Sequence, residues 1–243
     1  MNSTNAPVLV LQHLEADGPA YLGTWLREQG VPYEVFNSEA GHAFPTRIEG
    51  YRALAVLGGE MSANDPLPSL RRAEALILDA MEKGRPVLGL CLGGQLMARA
   101  LGASIVASPA PEVGWHEITL ADDAMAKAWL GDDLEPTVFQ WHYEAFDLPA
   151  GARRLAASAA CPNQAFAVGP HLGLQFHVEV DWPKLQEWAS AHDPRFAQAQ
   201  SAHLTVHDAP RMLAEAPRQL QRQQQMARRV YARWLSHQET WFS

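Results

Sequence analysis

The 243-residue chain is predicted to be an α/β protein, a three-layer sandwich with a mostly parallel central sheet, an antiparallel extension and a C-terminal helix. Three observations predict this. Short unbroken apolar runs, of the kind buried on both faces of a sheet, alternate with helically spaced segments over the first hundred residues. From about Trp115 to Phe176, strand-like runs instead follow one another with few helical stretches between. A long amphipathic segment closes the chain.

Residues 7–11 (PVLVL) read as a buried strand. Residues 18–29 read as a helix stopped by Gly30 in a left-handed position. Strands follow at 33–36 and 54–57, the second running into Gly58 and Gly59. Leu70, Ala73, Leu76, Ile77 and Ala80 give 70–83 helical spacing, and Gly84 ends it. A strand at 87–90 leads to Cys91, and 93–101 is helical. Runs at 116–120, 137–141, 164–168 and 172–176 form the antiparallel section. A helix at 181–191 carries Pro183 in its first turn, where proline is tolerated. Residues 192–210 are the least patterned and read as a loop. From 209 to 237, Leu213, Leu220, Ala227, Val230 and Trp234 form an apolar stripe, while Arg218, Gln221, Arg222, Gln225 and Arg229 form a wet face. The expected organisation is one domain, 1–243, with a core at 45–190 and a helical extension at 205–238.

Hydrophobic residues are 47% of the chain, enough for a sizeable core, and no apolar run reaches the length that spans a membrane. The start of the sequence lacks the features of a secretory signal, which sets the expectation of a cytoplasmic address. A net charge of −8 argues against a nucleic-acid partner. Two cysteines are too few for a disulfide framework or a zinc cluster, so each is weighed alone.

Cys91 stands out. An apolar strand ends in Gly89-Leu90-Cys91-Leu92-Gly93-Gly94-Gln95, the strand–turn–helix pattern of a nucleophile elbow. Gly89 and Gly93 are the small neighbours that such a tight turn requires. The helix N-terminus favours thiolate over thiol, and the Leu92 N–H would face a developing oxyanion. A thiol nucleophile needs a base, and the base needs an orienting group. Of the ten histidines, one lies in Leu172-Gly173-Leu174-Gln175-Phe176-His177-Val178-Glu179, where it ends an apolar strand with a carboxylate two residues on. In an extended chain the two side chains share a face, so Glu179 can hold one ring nitrogen and leave the other for Cys91.

These motifs, with Gly58-Gly59 after a strand, resemble the class I (triad) glutamine amidotransferase family over roughly residues 45 to 190. Val113-Gly114-Trp115-His116 and Trp141-His142-Tyr143-Glu144 are similar to free-standing members akin to the glutaminase domain of GMP synthase. The resemblance implies a flavodoxin-like sandwich and a catalytic triad of Cys91, His177 and Glu179. It implies an oxyanion hole from the N–H groups of Gly59 and Leu92. It implies substrate contacts from Gly58, Gln95, Trp141, Tyr143 and Glu144, the last three in a turn. No cofactor or metal is implied. The substrate would be glutamine or another γ-glutamyl amide, and the candidate ammonia acceptor would be a separate synthase subunit. Glu60 stands where the family usually has proline, which puts a negative charge near the pocket.

Other features carry less. His142 among aromatics reads as structural. His203 and His207 have the spacing of two metal ligands on one helix face but lack a third. Cys161 reads as an incidental thiol. The glycine pairs complete no phosphate-binding motif. Three functions stay open: a glutaminase feeding a synthase, a stand-alone γ-glutamyl amide or peptide hydrolase, and a catalytically silent binding protein.

Overall fold

A computed structural model describes residues 6–191 and 194–236. The strands are β1 (Val8–Gln12), β2 (Tyr33–Asn37), β3 (Ala53–Val56), β4 (Val87–Leu90), β5 (Ile105–Glu117), β6 (Thr119–Leu120), β7 (Thr137–Phe146), β8 (Arg153–Ala157), β9 (Ala165–Val168) and β10 (His171–Leu174). The helices are α1 (Ala20–Glu28), α2 (Pro68–Glu82), α3 (Leu92–Ala100), α4 (Ala124–Leu130), α5 (Trp182–Ser190), α6 (Pro194–Ala202) and α7 (Ala209–Leu235).

Eight strands form one sheet in the order β2-β1-β3-β4-β10-β9-β8-β6. The pairs from β2 to β10 are parallel, and β9, β8 and β6 continue antiparallel. Alternate residues leave a strand on opposite faces. Val8 and Val10 therefore pack with Leu22, Leu26, Trp129, Val230 and Trp234 from α1, α4 and α7. Leu9 and Leu11 pack with Leu70, Leu76, Leu96 and Met97 from α2 and α3. These are the three layers that the apolar runs require.

The structure corrects several expectations. Only Thr119–Leu120 of the 116–120 run joins the main sheet; β5 and β7 pair as a separate antiparallel ribbon. Trp141 to Glu144 therefore lies within strand β7, not in a turn. The strand leading to His177 stops at Leu174 and is parallel to β4, so it belongs to the central sheet. A bend at 175–176 and a turn at 178–179 follow, and this geometry replaces strand alternation in bringing His177 and Glu179 together. Residues 194–202 form α6, where a loop is expected. α7 presents the expected stripe and wet face, but Gln219 and Gln223 are also buried, while His237 and Gln238 lie outside the described residues.

Two details fix the ends of β4 and β10. His171 Nδ1 accepts the Val87 N–H at 3.1 Å. Burial holds this imidazole down at about 4, and does the same to His13. A histidine buried neutral adds stability that is complete above its ordinary value of 6.5 and is lost as pH falls toward 4. Unfolding free energy is therefore expected to fall between those pH values, and His171→Gln should lessen the slope. Denaturant titrations at stepped pH check it; an unchanged slope contradicts it.

At the other end, Leu90 pairs with Leu174, so both strands finish at the same edge. A Cβ on Gly93 would sit 2.0 Å from the Val56 carbonyl oxygen, and one on Gly89 would sit 2.5 Å from that of Gly93. The close approach of α3 to β3 and β4 excludes any side chain there. Gly93→Ala should cost about 3 kcal/mol or more, measured by urea unfolding, because backbone must move.

Candidate active site

Cys91 sits between β4 and α3 with φ 49° and ψ −108°, a strained conformation for a residue with a side chain. Its N–H bonds the Leu174 carbonyl at 2.8 Å, and its carbonyl takes the Gln95 N–H at 2.9 Å. The turn is thus tied to the neighbouring strand and to its own helix. Its Sγ lies 3.7 Å from both the Trp141 carbonyl oxygen and Gln175 Nε2.

His177 is placed across from it. Its N–H bonds the Phe139 carbonyl at 2.9 Å, and the Phe139 N–H is held by the buried Gln223 Oε1 of α7 at 2.7 Å. A Cβ at Gly58 would lie 3.1 Å from His177 Cε1 and 3.8 Å from Cys91 Cβ. Gly58 therefore leaves room for the two side chains to approach. His177 Nδ1 lies 2.7 Å from Glu179 Oε1. Burial disfavours protonation of His177, but the charge of Glu179 and the hydrogen-bonded Cys91 overcome it and raise its proton affinity. Burial likewise resists ionisation of Glu179, yet His177 and then Lys184 hold it below the usual carboxylate range. His177 thus stands between the Cys91 sulfur and the Glu179 carboxylate, the arrangement that a thiol, a base and an orienting group require.

These groups open into a cavity of about 540 Å³. Cys91, His177, Gly59, Gln95, Trp141, Tyr143 and Glu144 line it, together with Glu60. Gly58 is not among the lining residues, and Leu92 is buried at the start of α3 beside Gly59, so neither offers a side-chain contact to a ligand. Gln95 Nε2 donates to the Glu144 carbonyl at 2.9 Å, and Glu144 Oε1 accepts from Ser62 at 3.0 Å. His142 is fixed by the Glu144 carbonyl and Glu112 Oε2, each at 3.1 Å, and also lines the cavity. His203 is exposed, while His207 is buried against His116 with ring centroids 4.3 Å apart; the two do not share a helix face.

Sequence reading missed several parts of this cavity. Asp17 and Trp188 form one wall, with Trp188 Nε1 donating to Asp17 Oδ1 at 2.9 Å and its ring edge-on to His177 at 4.8 Å. Arg195 of α6 lines the cavity over the Tyr143 ring at 4.0 Å. No motif marks these residues. The adjacency of Gln175 to His177 in one apolar run was the available signal for Gln175.

Fold and site together define an α/β class with a cysteine on a strand–helix elbow at the sheet edge. The sequence matches the family model for class I glutamine amidotransferases over residues 22–185, and the chain belongs to that family. It is 32% identical over 206 residues to YfeJ, a glutamine amidotransferase-like protein of Salmonella typhimurium, covering 79% of this chain and 85% of that one. It is 31% identical over 157 residues to the GMP synthase of Aeropyrum pernix, 64% of this chain but only 29% of that protein. A crystal structure of a glutamine amidotransferase from Methylobacillus flagellatus superposes with a TM-score of 0.87 at 34% identity, over 95% of this chain and 94% of that one. A second, from Thermotoga maritima, gives 0.85 at 28% identity over 96% and 99%.

The two thiols should separate chemically. Cys161 is wholly buried, hydrogen-bonds the Asn163 carbonyl, and burial pushes its thiol up to about 11. Iodoacetamide at neutral pH is expected to label Cys91 first, as read by peptide mass spectrometry. Faster labelling of Cys161 in folded protein would contradict the site description.

Proposed function

We propose that this protein hydrolyses the side-chain amide of glutamine through a γ-glutamyl thioester on Cys91. The observation that carries the reading is the strained Cys91 facing the His177–Glu179 pair at the base of a ligand-sized cavity. Cys91 Sγ attacks the amide carbon, while the N–H groups of Gly59 and Leu92 receive the oxyanion. His177 gives its proton to the nitrogen as the C–N bond breaks, and ammonia leaves. Water, deprotonated by His177, then attacks the thioester; the C–S bond breaks, giving glutamate and the starting thiolate. Glu179 keeps His177 in the right tautomer. Gln95, Trp141, Tyr143 and Glu144 hold the amino-acid end, with Gly58 shaping the approach of His177.

A protein of Thermoplasma acidophilum, 29% identical over 159 residues, is by name one subunit of a glutamine-hydrolysing GMP synthase. By analogy, a separate partner would take the ammonia. A second reading, a stand-alone hydrolase of γ-glutamyl amides or peptides, is favoured by one feature: the cavity extends along α5 to Glu187, Ser190 and Ala191, leaving room for a substituent on the amide nitrogen.

Ammonia release from glutamine, assayed beside cleavage of a panel of γ-glutamyl amines and peptides, tests both. Cys91→Ala should abolish every such activity. His177→Ala should cost about a thousandfold or more in kcat, and Glu179→Gln less. Full activity in Cys91→Ala would refute the mechanism, and no turnover or Cys91 labelling by a glutamine-mimicking diazoketone would leave a silent binding protein.

A further inference from the structure

The triad carboxylate has a second charged neighbour that the mechanism leaves unused. Lys184 lies in the first turn of α5, where Asp181 caps the helix by accepting its N–H at 3.0 Å. Its side chain turns inward and is 4% exposed, which is rare for lysine. The Nζ donates to the Gly18 carbonyl at 2.9 Å. It stands 3.7 Å from Glu179 Oε1 and 4.0 Å from Asp17 Oδ1, and 5.0 Å from the centre of the Trp188 ring. Glu179 is fully buried, and its Oε2 has no hydrogen-bond partner among the described residues. An ion so placed is costly unless an opposite charge is close.

We propose that Lys184 is a positioning residue for the triad, the buried counter-ion that keeps Glu179 ionised and limits its hold on the His177 proton. The proposal rests on the reading that His177 activates Cys91. Around Glu179 stand His177, Lys184 and the hydroxyl of Tyr231 from α7, which burial and then the charge of Glu179 keep neutral. Around Lys184 stand Glu179 and Asp17. Lys184 thus shares its charge between a triad carboxylate and a carboxylate of the cavity wall. It also ties α5, which carries Trp188 against His177, to Gly18 just after the short turn at Glu15–Asp17.

Removing this positive charge takes away the ammonium that faces Glu179 beside His177. The thiolate–imidazolium pair then needs a higher pH to form, because less positive potential supports the thiolate. Removing the competing carboxylate of Asp17 does the reverse. Iodoacetamide alkylation of Cys91 against pH reads this without any substrate. Lys184→Met should move the acid limb up by about one unit, which is roughly tenfold slower labelling below the limb. Lys184→Arg should restore most of the shift, and Asp17→Asn should move the limb down. A merely structural lysine would lower the melting temperature and leave the limb in place. Should Lys184→Met fail to fold, Asp17→Asn decides alone. A limb that depends on His177 but is unmoved by these variants overturns the proposal and leaves the mechanism standing. An ordinary thiol profile indifferent to His177→Ala overturns both.

Discussion

The parallel pairing of β4 with β10 is the constraint on which the site depends. Leu90 and Leu174 are partners, so the chain leaves both strands at one edge of the sheet. The Cys91 N–H continues that pairing by reaching the Leu174 carbonyl. From there, Cys91 is one residue from its strand end and His177 is three from its own. Open α/β sheets place their ligands beyond the carboxyl ends of their strands, and here that edge is where the sulfur and the imidazole meet. The sharp Cys91 turn is tolerated only because α3 packs directly on β3 and β4, over glycines that leave no gap to collapse into.

The second organising feature is a row of buried charge. From the Cys91 sulfur at the cavity floor, His177, Glu179, Lys184 and Asp17 follow one another to its wall. In a low-dielectric setting the charge of Glu179 raises the proton affinity of His177, and His177 and then Lys184 hold Glu179 ionised. Elements distant in sequence hold this row together. α7 supplies Gln223, which fixes Phe139, which in turn fixes the His177 backbone. α5 supplies Lys184 and Trp188. The C-terminal third of the chain, much of it beyond the stretch matched by the family model, is thus part of what aims the imidazole.

The parallel half of the fold was legible because its signals are local: unbroken apolar runs, helical spacing, and stop glycines such as Gly30 and Gly84, both of which have positive φ. The ribbon strand β5 was legible only in part. Pro109 and Pro111 interrupt it where its register with β7 shifts between Ala107 and Glu112, and proline argues against a strand. α6 buries only Ala199, so it has almost no apolar stripe to read. Nothing in the spacing marks Gln219 and Gln223 as buried, because burial of a polar group depends on a partner from another element. The same holds for Lys184. The meeting of Cys91, His177 and Glu179 was legible because an elbow brings its own glycines and the histidine and carboxylate share one short run; the cavity walls had no such local signal.

The most direct measurement of the central claim is a crystal structure of the protein after reaction with a glutamine-mimicking diazoketone. The account predicts a covalent bond at Cys91 Sγ, with the carbonyl oxygen between the N–H groups of Gly59 and Leu92. His177 would stand on the opposite side, and the amino-acid end would lie among Gln95, Trp141 and Glu144. An adduct on any other residue, or one at Cys91 with its oxygen turned away from those N–H groups, would contradict it.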